Sequence, residues 1–171
     1  MRPVDDDILL ACVSSTQRPA GDSCFHPIYF ARYAGSDESK VDKYQEEWAR
    51  TLRIVLPQLS EEKIFDVTLC ARECAVNAMK HGCESSADQL STFVILSNPE
   101  TETLRLIICD PGPGHEFDLG AHKSKTRVSL IEDHRGLMLI EMLSSRFETR
   151  GKGAQVEMDF HFNSSPQAMA S

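Results

Sequence analysis

The stretch ECAVNAMKHG, residues 73–82, carries an acid, an amide and an amine at gaps of four and three: Glu73, Asn77 and Lys80. At helical pitch these gaps place all three on one face within about two turns. Each type has a chemistry. A carboxylate takes a proton from a hydroxyl or a water. An amide oxygen is a hard, neutral ligand suited to Mg²⁺. An ammonium meets a phosphate oxygen. Asp66 joins the same side a turn or two earlier. The alternative is an ordinary solvated helix face. Asn77 sits poorly with that alternative, because Asn competes for backbone hydrogen bonds in mid-helix.

A second set follows. In IICDPGPG an apolar run ends on Asp110, with Gly112 and Gly114 behind it. A carboxylate beside glycines that allow close backbone approach can read a donor group on a ligand, such as an adenine amino group. Pro-Gly-Pro-Gly also makes a turn with no ligand at all. Gly136 opens an apolar helix in HRGLMLIEML, and free N–H groups at a helix start bind anions. Gly153 lies in a Gly-Lys-Gly segment that by itself reads as a hairpin turn. Lys123, Lys125, Arg127 and Arg135 form a basic stretch between the second and third glycine segments. That stretch is either a solvated loop or a set of phosphate contacts.

These groups need elements to position them. Residues 26–33, rich in aromatic and β-branched types, read as a strand. Ser36, Asp37 and Ser39 are candidate N-caps for a helix over 41–56, where Val41, Tyr44, Trp48, Leu52 and Val55 recur at helical spacing. Ser60, followed by Glu61 and Glu62, starts a second helix that runs to about His81 and stops at Gly82. Its stripe of Ile64, Val67, Ala71, Cys74, Ala75 and Ala78 is a small-residue core face. Residues 90–97 and 104–110 read as strands, 136–145 as a helix, and 146–162 as two strands around the Gly-Lys-Gly turn. The order β-α-α-β-β-loop-α-β-β predicts an α+β two-layer sandwich, with helices on one face of a mixed, mainly antiparallel sheet. A short strand is also readable at 8–13. Residues 1–25 form an N-terminal extension, 26–162 the domain and 163–171 a flexible tail.

Bulk properties narrow the class. The chain has 171 residues, enough for one domain with a short extension, and 41% hydrophobic residues. Its net charge of −8 argues against a broad nucleic-acid surface but leaves room for a local basic site. The acidic start lacks a secretory apolar region, and no run approaches a membrane span, so a cytoplasmic protein is expected. The six cysteines then read as small buried thiols. A metal site at Cys70, Cys74, His81 and Cys83 lacks the paired spacing such sites use.

Taken in order, the motifs resemble those of the GHKL (Bergerat-fold) superfamily of ATPases and kinases. Glu73, Asn77, Lys80, His81 and Gly82 match its N box. Asp110, Gly112 and Gly114 match the G1 box, Arg135, Gly136 and Leu137 the G2 box, and Gly153 the G3 glycine. The short domain and the Asn-Ala-x-x-His-Gly ending look most like the anti-sigma factor serine kinases.

That resemblance implies an ATP site. Asn77 would hold Mg²⁺, Glu73 would be the general base and Asp110 would bind the adenine amino group. Gly112 and Gly114 would shape the floor, residues 115–135 would be the lid, and Gly136 would lie by the phosphates. Two departures touch the lid: His134 stands where many relatives have glycine, and His115 and Glu116 precede Phe117 and Asp118. The implied activity is a serine/threonine protein kinase that phosphorylates a STAS-domain antagonist in a bacterial partner switch, with a sigma factor or other effector as competing partner. Relatives also form homodimers. The alternative is a nucleotide-binding switch module without efficient phosphate transfer.

Overall fold

A computed structural model describes residues 24–114 and 135–162. The strand expected at 8–13, the lid residues Lys123, Lys125 and Arg127, and the tail lie outside them. In chain order the elements are β1 (His26–Ala34), α1 (Val41–Val55), α2 (Glu61–Asn77), β2 (Leu90–Asn98), β3 (Thr103–Cys109), α3 (Arg135–Leu143), β4 (Arg146–Arg150) and β5 (Gln155–His161). A 3₁₀ turn, Gly35–Lys40, precedes α1, and a π-helical turn, Ala78–Gly82, follows α2.

The five strands form one sheet in the order β1-β2-β3-β5-β4. Every pairing among the described residues is antiparallel, in keeping with the α+β two-layer sandwich and mainly antiparallel sheet expected from the sequence. A short link, residues 99–102, joins β2 to β3, whereas both α1 and α2 lie between β1 and β2. The segment from β3 through α3 returns the chain to the far edge, and the β4–β5 hairpin fills the gap.

Alternation along the strands sorts the side chains onto two faces. Phe93, Ile95, Leu104, Leu106, Ile108, Met158 and Phe160 point inward, where α1, α2 and α3 supply Trp48, Leu52, Ile64, Val67, Ala71 and Ile140 to one core. The stripe read from the α2 sequence is buried along its whole length. Its Ala and Cys residues let the helix approach the sheet closely. Trp48 fastens α1 by stacking on Phe93 at 4.4 Å and donating its indole N–H to Tyr33 Oη at 2.9 Å.

Ser60 caps α2 as its sequence predicts, accepting from the Lys63 backbone N–H at 3.1 Å. The caps expected of Ser36, Asp37 and Ser39 do not form. Those residues are themselves wound into the 3₁₀ turn, and α1 begins without a side-chain cap. Asp37 instead accepts from Lys40 at 2.7 Å and from the Tyr44 hydroxyl at 3.0 Å. Val55 is exposed and Leu56 takes its place in the core, because the helix ends there and the backbone changes direction.

The opposite face of the sheet is different. Val94, Leu96, Ile107 and Cys109 make a second apolar patch. Beside it, Arg105 binds Asp159 at 2.7 and 2.9 Å and Glu157 at 3.2 Å. Arg146 binds Glu157 at 2.7 Å. Glu157 and Asp159 are buried, and the two guanidiniums meet their charge.

Candidate functional site

The α2 sequence is helical up to Asn77 and then changes character. Ala78–Gly82 closes as a single π turn, and Glu84 and Ser85 follow with φ of 50° and 54°. Such π turns re-aim the chain at the end of a helix. Here the turn carries Gly82 inward, where it is buried, and leaves Asn77, Lys80 and His81 exposed. The helix expected to reach His81 therefore stops four residues early, although Gly82 still ends the helical path.

Gly82 meets Asp110. A Cβ on Gly82 would fall inside the Asp110 carboxylate, so no other residue fits without moving that side chain. Asp110 is held in turn. Its backbone N–H donates to the Ala154 carbonyl at 2.9 Å, and its Oδ1 accepts from the Gly112 N–H at 2.9 Å. Gly112 is fixed from the other side, because a Cβ there would lie 2.8 Å from the Gly82 Cα and carbonyl oxygen. The N-box and G1-box residues thus interlock through two glycines and one carboxylate.

Gly114 extends the contact. Its φ is +76°, and a Cβ would meet the carbonyl oxygens of Gly151 and Lys152 at 2.5 and 2.6 Å. Those carbonyls belong to the β4–β5 turn, where Gly151, Lys152 and Gly153 all have positive φ. The hairpin turn read at Gly153 is there, and it is also a wall against the G1 loop.

The third junction is at the start of α3. A Cβ on Gly136 would lie 2.8 Å from Glu73 Oε2. The first turn of α3, with its N–H groups not yet bonded within the helix, comes against the carboxylate one turn before Asn77. Glu73 is one-third exposed, and its ion pair with Arg72 is long at 3.8 Å. Arg72 binds Asp42 more closely, at 2.9 Å. Asp66, expected on the same polar face, pairs with Lys63 at 3.7 Å.

One supporting residue was not read from the sequence. Gly35 backs the π turn: a Cβ there would lie 2.7 Å from the Cys83 Cβ and the Ser86 N. Its own N–H donates to the Gln89 carbonyl at 3.0 Å. The glycine directly after a strand was the available signal, but it reads equally as a plain loop.

Cys83, beneath Gly82, has its thiol pushed up to about 11 by burial and then by the Asp110 carboxylate. Cys70 is pushed up to about 12, chiefly by burial. Cys70, Cys74 and Cys83 are buried thiols as expected, whereas Cys24 is exposed and Cys109 takes part in a disulfide. The all-thiol expectation is therefore corrected at Cys109. Among the described residues, no group of three or more His, Cys, Asp or Glu side chains is placed to hold a metal ion. None of the helices among them is long and apolar enough to cross a membrane.

An antiparallel sheet backed by helices, with one polar helix end touching two glycine loops, defines a Bergerat-type nucleotide domain. Residues 36–160 match the family model of the histidine kinase-like ATPase domain, and the chain belongs to that family. It is an ATP-binding domain of the GHKL type. Comparison with curated proteins gives no match.

Proposed function

We propose that the protein is an anti-sigma-factor-type serine/threonine kinase that uses Mg-ATP to phosphorylate a STAS-domain antagonist. The observation that carries this is the contact of Glu73 with Gly136. It brings a carboxylate, the start of a helix and, one turn on, the exposed Asn77 to one place.

The residues fit such a ligand. Asp110, with Oδ1 occupied by Gly112, is fixed to accept from the adenine amino group. Gly82 and Gly112 leave no side chain between that carboxylate and the pocket floor. Asn77 offers an amide oxygen to Mg²⁺, which when bound neutralises charge on the phosphates. The N–H groups at the start of α3 and the exposed ammonium of Lys80 both suit phosphate oxygens. Gly114, lacking a side chain, lets the β4–β5 turn that holds Gly153 stand close to the G1 loop. The lid, with Lys123, Lys125, Arg127 and Arg135, would supply further cations.

Glu73 is the base. The acceptor serine or threonine hydroxyl gives it a proton, and the hydroxyl oxygen bonds to the γ-phosphorus as the bond to the β-phosphate oxygen breaks and ADP leaves. The unphosphorylated antagonist competes with a sigma factor or other effector for this chain, and a homodimer is the assembly such relatives suggest. His134, in place of a glycine, favours a second reading, a nucleotide-dependent binding module with inefficient transfer.

Calorimetric titration with ATP, with and without Mg²⁺, tests the site, and phosphate transfer to a STAS-domain protein tests the reaction. Asn77→Ala is expected to remove the Mg²⁺-dependent part of binding. Glu73→Gln is expected to lower transfer by roughly 10²–10⁴ while ATP binding stays within a few-fold. Undiminished transfer in Glu73→Gln sinks the base assignment. Tight Mg-ATP binding with no transfer to any antagonist points to the module.

A further inference from the structure

Helices α1 and α2 are tied together at two points and open between them. At one end Arg53 donates to the Glu61 carboxylate from Nε at 2.9 Å and from Nη2 at 2.8 Å. At the other end Arg72 donates to Asp42 from Nη2 at 2.9 Å and from Nε at 3.2 Å. The first tie joins the end of α1 to the start of α2, and the second joins the start of α1 to a later turn of α2, so the helices run antiparallel. From Asp42 to Arg53 the open stretch is about 16 Å long at helical rise. It is a groove of about 560 Å³.

The floor is smooth and the two rims differ. Ala49 and Thr68 are small, and Ile64 closes the bottom at 2% exposed. On the α2 rim Phe65 is 59% exposed. One exposed ring is ordinary on a surface, but this ring edges a groove that could bury it against a partner. On the α1 rim stands Glu46, exposed, and among the described residues it makes no ion pair. The charge lining the groove is one-sided: Asp42, Glu46 and Glu61 against Arg53. Asp42 and Glu61 are engaged by the two ties, which leaves Glu46 to meet a cation from outside.

We propose that this groove is a docking site for a basic amphipathic helix of a partner protein, which lays an apolar side chain between Ala49 and Phe65 and sets a Lys or Arg against Glu46. A helix suits the shape, because two antiparallel helices present a groove that takes the ridge of a third, here about three turns long. A basic partner suits the charge, both at Glu46 and through the chain's net −8, which draws such a partner in. An acidic helix or an anionic membrane surface meets like charge at the same rim. The groove residues Ile64, Phe65 and Thr68 lie on a different stripe of α2 from Glu73 and Asn77, so docking leaves the nucleotide face open. The proposal does not depend on the nucleotide reading.

Fluorescence polarisation with the full chain tests it, using two labelled synthetic peptides of equal length, an amphipathic Leu-Lys helix and its Leu-Glu counterpart. Saturable binding of the Leu-Lys peptide is expected, at least tenfold tighter than that of the Leu-Glu peptide. Phe65→Ala should weaken the Leu-Lys peptide about tenfold, and Glu46→Lys roughly three- to tenfold. Glu100→Lys makes the same change of net charge at an exposed residue of the β2–β3 link and should leave binding within about twofold. The emission of the buried Trp48 checks that each variant is folded. Absence of saturable Leu-Lys binding overturns the proposal, and so does equal binding of the two peptides. Equal weakening by Glu46→Lys and Glu100→Lys overturns it too, since the peptide then follows overall charge and not the groove. A doubled mass in light scattering that Phe65→Ala returns to a single chain seats a second copy in the groove and rejects the basic partner. None of these readouts involves nucleotide, so their failure is separable from failure of the kinase reading.

Discussion

The two faces of the sheet bury their side chains by different means. Inward, Leu104, Leu106, Ile108, Met158 and Phe160 meet Trp48, Leu52 and the small residues of α2, and the contact is apolar throughout. Outward, the β3-β5-β4 half sets Arg105 and Arg146 against Glu157 and Asp159. The inner face is held by volume, so its cost function is the cavity. The outer half is held by pairing, so its cost function is the charge left behind. A change of equal size on the two faces should therefore fail for different reasons.

The largest expected effect is on the inner face. Leu106→Ala removes a fully buried side chain at the centre of the sheet and should cost about 3 kcal/mol in urea unfolding. A loss well under half of that would mean that the core collapses around the hole.

On the outer face, Arg105→Met should cost about 2 kcal/mol, because Asp159 and Glu157 lose a partner while still shielded. Adding Asp159→Leu should recover part of that loss, which no second deletion on the inner face would do. If the single variant unfolds at the wild-type urea concentration, the face is wetter than its burial indicates, and the contrast fails.

The smallest effect is alkaline. Burial pushes the Tyr44 hydroxyl up to about 12, helped by its bond to Asp37. A raised value in the folded state means that the stability is fully present below pH 10.0, the ordinary tyrosine value, and is lost as pH rises towards about 12. Cys70, about 12, and Cys83, about 11, act in the same direction. Melting temperature should begin to fall above pH 9.0, the ordinary thiol value, and fall more steeply above pH 10.0 together with the rise of tyrosinate absorbance. A fall that begins below pH 9 would point to some other group.

The local features were legible because local rules produce them. The α2 stripe follows from a 3.6-residue period, the strands from alternation and β-branching, and the Ser60 cap from a hydroxyl before two acids. Helical spacing singled out Glu73, Asn77 and Lys80 as candidates, and the structure keeps the first two on α2 while the π turn carries Lys80. The junctions were not. Gly82 against Asp110, Gly114 against Gly151, and Gly136 against Glu73 join segments far apart in the chain, and no periodicity encodes them. The π turn escaped for a related reason: Gly82 reads as a helix stop, and only its packing on Asp110 decides how the last turn is wound. Ser36, Asp37 and Ser39 have good capping chemistry, but the turn that contains them is drawn inward by Gly35 behind Cys83.

Trp48 is the chain's single tryptophan. It is sealed from solvent, stacked on Phe93 and tied to Tyr33, at the seam between α1 and the sheet. The protein thus carries its own fluorophore, placed where its emission colour reports one event. While α1 stays docked the light is blue-shifted, and when the helix leaves the sheet it moves to the red. Unfolding can be followed without a dye, and a substitution on the outer face should leave the spectrum at its native wavelength until the whole domain opens.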